Sequence, residues 1–365
     1  MQDKQIIKLY FTSPLHLSRG KANLEESFQT LHSDTLKSAI FYNALQLFGE
    51  AEIIGRQNEA EDDATNTSFF DAFSISSGFP FYGEELYFPK PLIPLPNLLD
   101  ENKKVMDAVQ QRKAKKKIAF LDKAHFEGLL QGTLSTISVQ DLYLKKKFLA
   151  KNSAAFFDSK KDPNHPPTES PFILSEVIQK VAVPRTFAEE TATFYMDRIY
   201  FKEGAGLFFF VEYHENVRPD IEKKVRAALQ LLGDNGIGSD RSSGNGHFVP
   251  KSKNVTFNLP TQGTQQLNLS LYCPTRSEMK GLITDKTAYT LVKRGGFIAS
   301  PKHTEHLSYR KKSVFMFKEG SVFPANDLQG KIVNLRPKVE NVQEETVVSH
   351  DIWRDGRAIF LPINA

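Results

Sequence analysis

The residues with the clearest chemical potential lie in one stretch: Gly233, Asp234, Asn235, Gly236, Ile237, Gly238, Ser239, Asp240, Arg241, Ser242, Ser243, Gly244, Asn245, Gly246 and His247. Five of the fourteen positions from Gly233 to Gly246 are glycine. Glycine reaches positive φ and lacks a Cβ, so the phosphates of a polyanion can come close to backbone N–H groups. Arg241 adds charge to such a cradle, and Ser242 and Ser243 add hydroxyl donors. The stretch is none of the common nucleotide loops. No Gly-Lys-Ser/Thr closes it, Arg241 stands where a dinucleotide fingerprint needs glycine, and the preceding segment has helical spacing. Contact with an RNA backbone is the expectation for the loop, set against a plain helix stop and long turn, a role Gly233 alone would fill.

A second candidate group, His16, Ser18, Arg19, Gly20 and Lys21, follows the first strand-like segment and would reach the same RNA or form a solvated loop. Lys293 and Arg294, with Arg310, Lys311 and Lys312, could track phosphates or an acidic neighbour, the plainer alternative being a solvated face. Catalysis finds less support. His32, Ser33 and Asp34 have triad letters, but sequence neighbours point in different directions, and Ser33 or Asp34 reads more simply as a helix cap. His303 and His306 have ligand-like spacing without a third partner, so no metal or other cofactor is expected. Two alternatives stay open: an RNA-cleaving enzyme using His16, His32 or His247 as acid or base, and a protein-only scaffold, which burial of Arg241 or of the loop glycines against the chain's own core would favour.

The 365 residues are 40% hydrophobic and 25% charged, which excludes wholesale disorder, a collagen-like fibre and a coiled-coil rod. The charge balance, 47 − 43 = +4, is too small to attract a polyanion in bulk, so nucleic-acid contact needs a local patch. One cysteine, Cys273, can form no internal disulfide, and Asp3, Lys4 and Lys8 interrupt any secretory signal core. A cytoplasmic chain without a membrane span is expected.

These groups must be positioned by alternating elements. Ile7, Leu9 and Phe11 give strand periodicity over 5–12; Leu36, Ile40, Ala44 and Leu47 give a helix ended by Gly49. Residues 55–68 are polar and read as a mobile loop, and the aromatic, proline-punctuated stretch from Phe69 to Pro96 suits short extended pieces. A basic run from Arg112 to Lys117, a second at Lys145 to Lys147 and an exposed loop from Lys160 to Pro171 complete the first half. In the second half, Ile199–Lys202 and Leu207–Val211 read as a hairpin whose second strand is buried on both faces. A helix starting at Pro219 carries Ile221, Val225, Leu229 and Leu232 on one stripe, and strand-like pieces recur near 255–259, 267–272, 313–317 and 357–362. Most of the 29 phenylalanines, Phe315 and Phe317 included, are expected in the core. The predicted fold is α+β: two ferredoxin-like (RRM-like) domains with antiparallel sheets, over 1–182 and 183–365, the second carrying the glycine-rich loop 233–248.

Several segments, in this order, resemble the RAMP superfamily of CRISPR proteins and, within it, subunit four of the type III-A Csm effector. They are Phe11-Thr-Ser-Pro-Leu-His-Leu17, Leu31-His-Ser-Asp-Thr-Leu36, Phe73-Ser-Ile-Ser-Ser-Gly-Phe-Pro80 with Phe88-Pro-Lys-Pro91, the glycine loop, Gly295-Gly-Phe-Ile-Ala-Ser300 and Arg310-Lys-Lys-Ser-Val-Phe-Met-Phe317. Ser239 and Asn245 depart from the glycine and basic residue expected there. The resemblance implies a noncatalytic subunit for antiviral defence that grips the 5′ handle of CRISPR RNA (crRNA). It also implies contacts with the large polymerase-like subunit and the backbone RAMP subunit, and a thumb reaching target RNA at the handle boundary. The lysine-rich region 100–165 is the expected thumb.

Overall fold

A computed structural model describes residues 1–17, 30–54, 68–157, 169–183, 191–214, 220–298, 310–337 and 350–364. The loop expected at 55–68 lies outside them except for Ser68, as does most of the one at 160–171. In chain order, β1 (Gln2–Phe11), α1 (Ser33–Phe48) and the short α2 (Glu50–Ile53) come first. Then follow β2 (Phe73–Ile75), β3 (Phe79–Tyr82), β4 (Glu85–Pro89), β5 (Asn97–Leu99), α3 (Ala108–Lys117), β6 (Phe120–Asp122), α4 (Lys123–Leu130), β7 (Thr136–Ser138), β8 (Leu142–Tyr143) and β9 (Phe148–Leu149). A long pair, β10 (Ile173–Ala182) and β11 (Ala192–Phe201), precedes β12 (Ala205–Tyr213), α5 (Ile221–Asn235) and β13 (Phe248–Phe257). The last third holds β14 (Gln265–Asn268), β15 (Leu291–Arg294), β16 (Val314–Phe317), β17 (Val322–Pro324), β18 (Ile332–Asn334), β19 (Trp353–Asp355) and β20 (Phe360–Ile363).

The main sheet runs β13-β1-β12-β3-β4-β6-β9-β8, with β2 also on β12. Antiparallel ladders set Ile6 against Phe210 and Leu9 against Leu207 on one side of β1, and Phe11 against Phe248 on the other. Alternate side chains of a strand point to opposite faces, and here both faces are buried. Ile7, Leu9, Leu207, Phe209 and Val211 meet Leu36 and Ile40 of α1 and Val225 and Leu229 of α5. Ile6, Phe208 and Phe210 meet Phe79, Phe81, Phe88, Phe126 and Phe257 on the other face. Each buried phenylalanine contributes about 1.5–3 kcal/mol of transfer free energy, which explains the uninterrupted apolar run of β12.

This pairing overturns several expectations. The boundary at 182/183 falls inside the β10–β11 hairpin, and β12, α5 and β13 join β1 instead of founding a second domain. After Phe257 the described residues contain strands but no α-helix. β11 pairs with β10 and not with β12, because β12 is already flanked by β1 and β3. In the described part of the lysine-rich region, Ala114, Ile118, Leu121, Phe126, Leu130 and Ile137 are buried in the second core. The α5 stripe is buried as read, but the helix continues through Gly233 to Asn235, and Gly236 at φ +75° ends it. Gly233 serves close approach, since a Cβ there would lie 2.2 Å from the Phe248 carbonyl oxygen. Pro219 lies outside the described residues. Leu47 is exposed, whereas Leu36, Ile40 and Ala44 are buried as expected.

The amino end of α1 is capped by neither Ser33 nor Asp34. His32 occupies that position, Ser33 Oγ accepts from Leu271 N at 2.9 Å, and Asp34 is fully buried. Its carboxylate receives Arg294 Nε at 2.8 Å, Arg294 Nη2 at 3.0 Å and Arg354 Nη1 at 2.7 Å, which fastens β15 and β19 to α1. Burial alone would raise the Asp34 pKa; the two arginine charges outweigh it and hold the carboxyl below its usual range. Asp34→Ala should therefore destabilise the chain by about 3–5 kcal/mol in urea unfolding at neutral pH, since it leaves two inward-facing cations unpaired. In the native protein this contribution is complete above the ordinary carboxylate pKa of about 3.9 and disappears as pH falls through the lower native value. A midpoint difference between wild type and variant that persists unchanged in stronger acid would contradict the assignment.

Candidate nucleic-acid interface

Three segments meet at one end of the main sheet: the chain after β1, the glycine loop after α5 and the base of the β10–β11 hairpin. Leu15 bridges Ile199 through backbone bonds of 2.9 and 2.8 Å, and His16 Nδ1 lies 2.5 Å from the Asp197 carbonyl oxygen. The glycine loop is stitched to the same chain. Gly246 N–H donates to Pro14 O at 2.8 Å, Ser239 N–H to His16 O at 3.1 Å and His247 N–H to Ser13 Oγ at 2.9 Å, while Thr12 N–H donates to His247 O at 2.9 Å. Ile237 N–H closes the loop on Gly246 O at 2.9 Å. Two glycines are sterically required. A Cβ would lie 2.3 Å from His16 O at Gly238 and 1.9 Å from Ile237 O at Gly246, and both have positive φ.

The charged centre of this arrangement is Asp240, which is buried. Its Oδ2 accepts from Lys180 Nζ at 2.7 Å, Arg198 Nη2 at 3.3 Å and Asn245 Nδ2 at 2.7 Å, so one carboxylate joins both strands of the hairpin to the loop. Burial pushes its pKa up, but the hydrogen bonds from Lys180, Ser243 and Arg198 and the Lys180 charge prevail and lower it. With Asp240 and Asn245 turned inward, the 3₁₀ turn Arg241–Ser243 and Gly244 face solvent, as does Ser239. An exposed turn presenting the Arg241 guanidinium and the Ser242 hydroxyl has the chemistry to meet a phosphate.

Residues 8–249 match the RAMP superfamily. The chain belongs to the RAMP superfamily. Residues 261–363 match the CRISPR Csm4 C-terminal domain. The chain is 23% identical to the CRISPR system Cms protein Csm4 of Streptococcus thermophilus over 337 residues, covering 90% of this chain and 92% of that protein. It is 24% identical to the Csm4 protein of Methanocaldococcus jannaschii over 393 residues, covering 98% and 97%. In fold it is similar to a chain of the Csm3–Csm4 subcomplex of a type III-A CRISPR-Cas interference complex (TM-score 0.64, 19% identity, 99% and 100% covered). It is also similar to a chain of the Csm1–Csm4 cassette with cA4 (TM-score 0.54, 16% identity, 100% and 98% covered).

In this RAMP chain the glycine loop and His16 come together, but not as an open cradle of amides. The N–H groups of Ile237, Ser239, Ser243, Gly244, Gly246 and His247 all bond within the protein, and Gly236, Ile237, Asn245 and Gly246 are buried. Their role is to shape the turn; Ser239, Arg241 and Ser242 are exposed, while the Ser243 hydroxyl is bonded to Asp240. Ser18, Arg19, Gly20 and Lys21 lie outside the described residues, as do His303 and His306. Arg294 is bound to Asp34 through Nε and Nη2. Lys293 is exposed on β15, which pairs with β16 rather than with the strands flanking the loop. Phe315 is 62% exposed, contrary to its core assignment, whereas Phe317, two residues on, is buried against Tyr272 and Phe323. Of the catalytic candidates, His32 lies against Glu319 at 3.4 Å, while His16 and His247 flank the glycine loop. Among the described residues, no group of three His, Cys, Asp or Glu could hold a metal ion, and no helix is long and apolar enough to cross a membrane. Sequence reasoning missed Lys180 and Arg198, whose only trace is the placement of cations on facing strands.

Asp240→Ala should leave Lys180 and Arg198 without their shared carboxylate and cost about 1–3 kcal/mol. Hydrogen exchange read by mass spectrometry should rise selectively in 173–182 and 192–201; uniform exchange across the chain would contradict a local tie.

Proposed function

We propose that the chain is a noncatalytic RNA-binding subunit of a type III-A CRISPR effector, acting in antiviral defence in the cytoplasm. The sheet order β13-β1-β12-β3 with α1 and α5 on one face is read as a ferredoxin-like unit. Its glycine-loop end would grip the 5′ repeat-derived handle of crRNA. The observation that carries this reading is the solvent-facing Arg241-Ser242-Ser243 turn, held rigid at the foot of the β10–β11 hairpin by Asp240. Phosphates would bond to Arg241 and the Ser242 hydroxyl, with His16 alongside. The relatives' assembly with Csm1 and Csm3 supports placement between the large polymerase-like subunit and the backbone RAMP subunit.

The thumb is reassigned to the β10–β11 hairpin. It forms a two-stranded sheet of its own and exposes Leu174, Val177, Val181 and Tyr195 at 47–61%. An isolated hairpin is marginal in water, so these apolar surfaces favour cover by RNA bases or a neighbouring subunit. At the boundary between handle and guide, such a wedge would limit pairing with target RNA.

The test is titration of fluorescent crRNA, with and without its 5′ handle, against the chain joined to its large-subunit partner. Tighter binding of the intact handle, without cleavage, is the expected result, with affinity falling as salt rises by about 0.7 log units per log unit for each phosphate neutralised. Cutting at a defined site by the chain alone, abolished by His16→Ala or His247→Ala, would move the reading to an endoribonuclease. Arg241→Ala should weaken handle binding by roughly tenfold without a change in melting temperature, the scale of a lost charge-assisted contact; unchanged affinity would remove Arg241 from the site.

A further inference from the structure

Away from the RNA face, the strap after β4 and the basic helix α3 enclose a cleft of about 590 Å³. The strap supplies Leu92, Ile93, Pro94 and Leu95, and the cations around the cleft are Lys90, Arg112, Lys115 and Lys116. Both walls are firmly held. Lys90 N–H donates to Ala119 O and Leu92 N–H to Gly320 O, each at 2.9 Å, and the prolines of the strap need no amide partner. On the opposite wall, Gln111 ties α3 to the strap by accepting from Leu98 N at 3.3 Å and donating to Met106 O at 2.9 Å.

The charge here is one-sided. No carboxylate lines the cleft, and none among the described residues forms an ion pair with its four cations. The acid at the start of α3, Asp107, is engaged as its cap, accepting from Val109 N at 2.9 Å and Gln110 N at 3.1 Å. Lys90 Nζ bonds only to the Lys115 carbonyl, at 2.9 Å, and burial holds its pKa below that of an ordinary lysine. In a chain whose overall excess is +4, four cations around one cleft, none of them ion-paired among the described residues, form a local cationic patch that favours an anionic ligand. The lining contains no Phe, Tyr, Trp or His, so RNA bases find nothing to stack on. Its apolar part, Leu92, Ile93, Pro94 and Leu95, is aliphatic and favours aliphatic side chains of a ligand.

We propose that this cleft docks an acidic, leucine-bearing segment of a partner protein, with carboxylates on Arg112, Lys115 and Lys116 and aliphatic side chains on Leu92, Ile93 and Leu95. Fluorescence anisotropy of a short labelled peptide of Asp-Leu-Glu repeats, titrated with the full chain, tests it. Saturable binding should weaken by roughly tenfold or more in Arg112→Glu/Lys116→Glu, and similarly when the peptide carries alanine in place of leucine. Both residues are exposed, and the single variant Lys116→Gln, expected to weaken binding less, covers a misfolded double variant. Equal affinity for the leucine and alanine peptides would reduce the cleft to a nonspecific charged surface and overturn the proposal. Indifference to the charge variants would overturn it as well. So would an oligouridine of the same length that binds more tightly than the peptide and responds to the same variants, which would make the cleft a nucleic-acid site.

Discussion

The architecture depends on β12 being buried on both faces and paired on both edges. A strand carrying Leu207, Phe208, Phe209, Phe210 and Val211 has no polar side to show to water, so it must lie inside a sheet covered above and below. β1 takes one edge, and β2 and β3 take the other, which draws the first eighty or so residues and the middle of the chain into one body. α1 and α5 then cover one face, while the α3–α4 region and parts of the C-terminal third cover the other. The split of the chain into halves fails for this reason: the central strand of the first sheet comes from residues that follow the long insertion.

Two buried carboxylates add specificity to this apolar frame. Asp34 holds two arginines from the C-terminal third against the first helix, and Asp240 holds a lysine and an arginine from the hairpin against the glycine loop. Neither acid faces solvent, and each has its pKa lowered despite burial because cations surround it. Ion pairs of this kind fix geometry more than they add net stability. At Asp240 the fixed object is the exposed arginine–serine turn, whose position relative to the hairpin is set by a buried charge.

The glycine loop illustrates how close reasoning from composition can come and where it stops. Its glycine density does signal unusual backbone geometry, but the geometry serves contacts with Pro14, His16 and Phe248 as much as with any ligand. Glycine allows a phosphate and a protein backbone to approach equally well. Composition cannot separate the two, because the deciding fact is which neighbour fills the space.

What the sequence determined is local and periodic. The alternation in β1, the apolar run of β12, the stripe on α5 and the aromatic extended pieces after Phe69 are each written in residues a few positions apart, and each appears where the spacing puts it. The presence of a special loop after α5, and a family resemblance spread over the chain, were equally legible. The tertiary structure alone decided the partners. Lys180 meets Asp240 across 60 residues and Arg294 meets Asp34 across 260, and nothing within a few residues of either distinguishes a salt-bridged cation from one that would bind RNA. The packing of the middle of the chain was likewise a tertiary decision: the lysine-rich segment carries enough buried Ile, Leu and Phe to join the second core, whereas β10 and β11 pair with each other because both edges of β12 are occupied.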